Sequence, residues 1–167
     1  YFLEKRKRNR VLILMFHQVN NKNLNFYKSM PTNVFKELCL FLQKNYAVLL
    51  PSEVENHFKT SSKPVAIISF DDGHYDIIQN VLPILKKLDL PFNVNIDTEI
   101  FKTKKPQDFI RVYDILNHCN VTEYFSRDFM KEPIEIDKSN STKVEKAFTD
   151  ILSKLSIQKR REFVEKM

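Results

Sequence analysis

The order of apolar and amphipathic segments up to Ile96 places this chain in the α/β class, with about four parallel strands joined by helical crossovers and a mostly helical segment after them. Two runs of strand length, Val11 to Phe16 and Val65 to Phe70, are continuously apolar or nearly so, the pattern of strands covered on both faces in a parallel sheet. Stretches with a helical period separate the strand-type runs. Strand and helix therefore alternate four times, as parallel strands with crossover helices require.

The chain has 167 residues, enough for one domain with a substantial core. Its hydrophobic content of 43% and charged content of 29% exclude wholesale disorder. The net charge is +6, and the densest basic cluster is Glu4-Lys5-Arg6-Lys7-Arg8-Asn9-Arg10. Without interleaved aromatics, residues 1–10 read as a solvated basic tail and not as a nucleic-acid-binding arm. The apolar run Val11 to Phe16 is far below the ~20 residues of a transmembrane span, and no cleavable leader pattern is present. The first residue is Tyr1, which leaves room for an upstream segment, so cell envelope and cytoplasm both stay open. Cys39 and Cys119 lack Cys-x-x-Cys spacing and read as small buried hydrophobes, not as a disulfide or a zinc knuckle.

Taken along the chain, Val11 to Phe16 is the first strand and delivers His17 at its end. Gln18 to Met30 is polar and aperiodic, a loop. Pro31-Thr32 opens a helix with Thr32 at the N-cap and an apolar stripe of Phe35, Leu38, Phe41 and Leu42. Tyr46 to Leu50 is the second strand, stopped by Pro51, and Ser52-Glu53-Val54-Glu55 has the capping-box pattern of a short helix through about Lys59. Val65 to Phe70 is the central strand. A helix follows from His74 to Asp89, with Ile77, Val81, Ile84, Leu85 and Leu88 on one face and Pro83 kinking it or dividing it. Phe92 to Ile96 alternates as a fourth strand. The βα units span 11–97. In the helical segment, 98–167, stripes run through Phe109, Val112, Tyr113 and Leu116 and through Val144, Phe148, Ile151 and Leu155; Val121 to Asp137 reads as irregular, and Ile157 to Met167 as a last helix that looks cut and not finished.

The chemistry gathers at Asp71-Asp72-Gly73. Two adjacent carboxylates abutting a buried strand are costly to desolvate unless a cation, a proton or a strong donor is near. Gly73 is the only glycine in the chain, so a backbone angle or a close approach is expected to require it. An ordinary turn with both acids in solvent is the competing reading. It loses ground because His17, Asn95 and Asp97 fall at the carboxyl ends of other predicted strands, the rim where parallel α/β sheets bind ligands.

The stretch Ser69-Phe70-Asp71-Asp72-Gly73, with Leu82-Pro83-Ile84-Leu85 and Phe92-Asn93-Val94-Asn95-Ile96 after it, resembles the first motif region of polysaccharide (chitin-type) deacetylases. Leu14-Met15-Phe16-His17-Gln18-Val19 is similar to their Tyr-His-x-Val strand. The resemblance runs from about Val11 to Ile96. It implies an incomplete (β/α) barrel and metal-dependent removal of acetyl groups from an N- or O-acetylated glycan. Asp71 would be the general base and Asp72 a ligand to a divalent metal, zinc in the first place with cobalt or nickel as substitutes. His17 and His74 would meet substrate, with His74 alternatively replacing a ligand or lying exposed at a helix start. His57 and His118 sit in ordinary helical contexts.

The paired histidines that complete the metal site in this family have no counterpart, and Asn93 and Asn95 stand where the family prefers Thr and an aromatic. The expected state is therefore the N-terminal part of a deacetylase, weak or inactive alone. Two alternatives remain. One is an inactive relative that binds a glycan or a protein; the other is a magnesium-dependent phosphate enzyme, which lacks a glycine-rich cradle here. Exposed sheet edges invite a homodimer.

Overall fold

The computed structural model describes residues 10–167, so the basic tail, Arg10 apart, lies outside the described residues. The elements are β1 (Val11–Phe16), α1 (Thr32–Asn45), β2 (Ala47–Val48), α2 (Val54–Thr60), β3 (Val65–Phe70), a π-helical stretch (Ile77–Val81) running into α3 (Leu82–Lys87), β4 (Asn93–Val94), α4 (Glu99–Thr103), α5 (Asp108–His118), β5 (Glu123–Tyr124), β6 (Ile134–Glu135), α6 (Ser141–Lys154) and α7 (Ile157–Lys166). They pack as two compact units where the length suggests one: the described residues through Lys22 with Ser29–Thr98, and Asn23–Lys28 with Glu99–Met167.

The first unit is built on a parallel sheet with β3 at its centre. β1 pairs with β3 along its whole length, from Val11 opposite Val65 to Phe16 opposite Phe70. β2 takes the start of β3 (Ala47 opposite Val65) and β4 its end (Ser69 opposite Asn93). All four strands are parallel, and among the described residues the sheet is open. All six residues of β3 are buried, as a strand with neighbours on both edges and cover on both faces should be.

β1 departs from the sequence reading. Ile13 and Met15 are 65% and 62% exposed, so this apolar run covers the core with Leu14 and Phe16 only. It is an edge strand, and its continuous hydrophobicity reflects composition more than two-sided burial.

The core ties the strand ends together. Phe16 stacks on Phe70 at 5.4 Å between ring centroids, Phe35 of α1 meets Phe16 edge-on at 5.4 Å and Phe70 at 5.8 Å, and Phe92 closes on Phe70 at 6.0 Å. Such offset and edge-on pairs add to plain area burial. α1 buries Phe35, Cys39 and Leu42, while Phe41 of the expected stripe is exposed. Burial pushes the Cys39 thiol up to about 11, which makes it the inert small hydrophobe expected of it.

Two caps differ from expectation. Thr32 is the first helical residue and not the cap; its N–H donates to the Asn21 side chain at 3.0 Å, so a loop residue eleven positions upstream does the capping. Before α2, Glu53 accepts the Leu50 N–H at 2.7 Å, and Ser52-Glu55 makes no box. Around Pro83 the anticipated kink takes the form of a change in pitch. Leu82 N–H reaches back five residues to Ile77 O, widening the turn just before the residue that has no N–H to give.

The second unit has its own core of Phe26, Val112, Leu116, Val144, Phe148, Leu152 and Phe163. Asn117 holds the inserted segment, accepting from Asn25 and Phe26 N–H at 3.0 Å and donating to Phe26 O at 3.1 Å. The stretch read as irregular contains the antiparallel pair β5–β6, whose two-residue strands are too short to show a period.

Phe35→Ala should lower stability by about 3–5 kcal/mol, because the ring touches both strand ends and leaves a cavity. Urea unfolding checks this; a loss under about 1 kcal/mol would show that the aromatic cluster does not hold the sheet to α1.

Candidate active site

β3 ends in a fixed position. Asp71 N–H donates to Phe16 O at 2.9 Å and Asn95 N–H to Phe70 O at 2.7 Å, so the ends of three strands are pinned where the acids begin. Asp72 and Gly73 then both take a φ of 69°, two left-handed residues in succession. A Cβ on Gly73 would sit 3.6 Å from the Ile96 side chain, ordinary contact, so the backbone angle and not space requires glycine. Asp tolerates the left-handed region better than most residues.

This turn sends the two carboxylates to different partners. Asp71 Oδ1 accepts from Asn95 Nδ2 at 2.7 Å. Asn95 is itself oriented: Asn93 Nδ2 donates to its Oδ1 at 2.9 Å, and both amides reach Ser69 Oγ at 3.4 Å. Asp72 Oδ2 instead lies 3.7 Å from His74 Nε2, the two side chains being 14% and 19% exposed. Neither acid is the solvated turn residue of the competing reading.

His74 was expected to lie exposed at a helix start; it is mostly buried, and it precedes the helix. Burial pulls its pKa below the ordinary 6.5, opposed by the charges of Asp72 and Asp76 and assisted by His17, which places His17 within electrostatic reach of the ring. Asp71, Asp72, His17 and His74 therefore share one rim. His57 and His118 stand apart, in local contacts with Lys63 O at 2.9 Å and Asp114 O at 2.7 Å.

Three residues absent from the sequence reading belong to this rim. Gln18 Nε2 lies 3.3 Å from His74 Nδ1. Asp76 Oδ2 accepts from Val19 N–H at 2.7 Å and from Asn20 Nδ2 at 3.1 Å, while Asn80 Nδ2 donates to Val19 O at 2.8 Å. The loop after β1 is thus fastened to the segment after the acids. From sequence, Asp76 looks like an ordinary acid in a first helical turn. Only its bond to a residue 57 positions away gives it another meaning.

Among the described residues no group of three or more His, Cys, Asp or Glu side chains is gathered for a metal ion. The pair Asp72 and His74 is nonetheless suited to one. Two ligands of a tetrahedral zinc with bonds of ~2.0–2.1 Å stand about 3.3 Å apart, and Asp72 Oδ2 and His74 Nε2 are separated by 3.7 Å.

No family model and no curated protein matches the chain. Solved structures do, and three of them are deacetylases. Streptococcus pyogenes deacetylase PplD in complex with acetate is 22% identical with a TM-score of 0.47, over 63% of this chain and 52% of that one. IcaB from Ammonifex degensii is 21% identical with a TM-score of 0.42, over 51% and 38%. A de-N-acetylase from Aggregatibacter actinomycetemcomitans is 18% identical with a TM-score of 0.45, over 82% and 52%. Each likeness is partial. The chain spans between 38% and 52% of the length of these proteins.

In the metal-free chain the His74 ring should titrate below 6.5. The unfolded ring takes up a proton near its ordinary value and the folded ring resists it. Stability is therefore full above 6.5 and falls as the pH drops below it. Ring NMR checks the midpoint, and His74→Gln should flatten this part of the acid limb; a midpoint at or above 6.5 would contradict the buried setting.

Proposed function

We propose that this chain carries the general base and part of the cation-holding side of a metal-dependent deacetylase acting on an N- or O-acetylated glycan, with the open parallel sheet as part of a (β/α) barrel framework. One observation carries the reading: the acidic doublet is divided, Asp71 going to Asn95 and Asp72 to His74. The Ser-Phe-Asp-Asp-Gly resemblance supports it.

Asp72 and His74 would hold the cation, zinc in the first place with cobalt or nickel able to replace it. Bound there, a divalent cation supplies Lewis acidity towards the acetyl carbonyl and lowers the pKa of a water molecule. The chain's own groups do the rest. Asp71, kept off the cation side by the 2.7 Å bond from Asn95, takes the proton of the attacking water as acetate separates from the sugar nitrogen or oxygen. That bond occupies Oδ1 and leaves Oδ2 for the proton. His17, at the end of β1, lines the substrate side of the rim.

Two donors are one short of the three protein ligands of a catalytic zinc. The proposal therefore includes a third ligand from beyond the described residues, and little turnover by the 167-residue chain itself. The same shortfall favours a second reading, a relative that binds an acetylated glycan or a protein without hydrolysing it.

Isothermal titration with cobalt separates the two. A working half-site should bind one cobalt per chain, Asp72→Ala should weaken binding at least ~10-fold, and Asp71→Asn should leave it within about 2-fold. No Asp72-dependent binding would favour the second reading. Acetate release from an N-acetylated oligosaccharide should be slow or absent with this chain; rapid release would contradict the incomplete ligand set.

A further inference from the structure

His74 can serve a cation only through a nitrogen that carries no proton, and its two ring nitrogens have different neighbours. Nε2 faces Asp72 Oδ2 at 3.7 Å, and Nδ1 faces the Gln18 side-chain amide at 3.3 Å. A neutral imidazole has one N–H and one acceptor nitrogen, so whatever Nδ1 does decides the state of Nε2. The primary amide of glutamine is two-faced: its NH2 end donates and its oxygen accepts, and a half-turn exchanges them.

In the structure the Gln18 Nε2 end is turned to the ring. With that end a donor, Nδ1 must accept and the proton sits on Nε2, where it faces the Asp72 carboxylate. The ring is then a donor to Asp72 and closed to a cation. With the amide turned over, Oε1 accepts from Nδ1–H and the Nε2 lone pair is released towards the same side as Asp72. Gln18 is placed for this by the strand register and the Asp76 clamp, since Val19, its neighbour, is held by Asp76 at its N–H and by Asn80 at its carbonyl. A residue held so firmly by its backbone can still rotate its amide.

We infer that Gln18 is a positioning residue that sets the tautomer of His74, holding the proton on Nε2 in the metal-free chain and releasing Nε2 when its amide turns over. The consequence for cation binding rests on the function proposed above. The tautomer itself is independent of any metal.

Ring 15N shifts of His74, recorded on the metal-free chain at pH 8 where an ordinary histidine is neutral, read the tautomer directly. The wild-type chain should show the Nε2–H form. Gln18→Glu, whose carboxylate only accepts, should move the proton to Nδ1 and tighten cobalt binding roughly tenfold, a gain that His74→Ala should cancel. A wild-type Nδ1–H ring, or a Gln18→Glu ring still protonated on Nε2, would overturn the inference, as would a cobalt gain that survives His74→Ala. Should Gln18→Glu fail to fold, Gln18→Met gives the same decision: a mixture of tautomers supports it and an unchanged single form refutes it. If the tautomers behave as stated while cobalt binding ignores Asp72→Ala, the proposed function fails and the tautomer control stands.

Discussion

The register of β1 against β3 is the constraint on which the rest of the site depends. Pairing Phe16 with Phe70 brings the two strands to an end at the same level. The bond from Asp71 N–H to Phe16 O then fixes where the acids start relative to His17. A slip of one residue would turn every side chain of β1 to the other face and take Phe16 out of the aromatic cluster. That cluster of Phe16, Phe35, Phe70 and Phe92 is what makes the slip costly.

On this foundation a short stretch of unusual backbone does the chemical work. Two consecutive left-handed residues are strained for anything but glycine, and here one of the two is an aspartate. The strain is offset by what it achieves: adjacent carboxylates that would repel each other in one pocket are given separate partners, an amide for Asp71 and an imidazole for Asp72. A base and a ligand need different surroundings, the first free to take a proton and the second committed to a cation.

The strands with long apolar runs were legible in the sequence because burial writes itself into composition; Val65 to Phe70 is the clearest case. The two-sided burial inferred for β1 failed for the same reason, since an edge strand can be as hydrophobic as a central one. Elements of two residues, β5 and β6, leave no periodic trace. Local capping rules chose Thr32 and Ser52 where the fold uses Asn21 and Glu53, because a cap can be supplied by any chain segment that tertiary structure brings near. At the site, the doublet and the glycine stood out by type and spacing. Gln18, Asp76 and the orienting role of Asn95 did not, because their meaning lies in contacts made 24 to 57 positions apart in the chain.

The central claim is that Asp72 and His74 face one cation while Asp71 stays off it. Anomalous diffraction from crystals of the chain soaked in cobalt tests this most directly. The account predicts a single strong peak within bonding distance of Asp72 Oδ2 and His74 Nε2, with the Asp71 carboxylate still bonded to Asn95. A crystal with no peak there, or with Asp71 among the ligands, would contradict it.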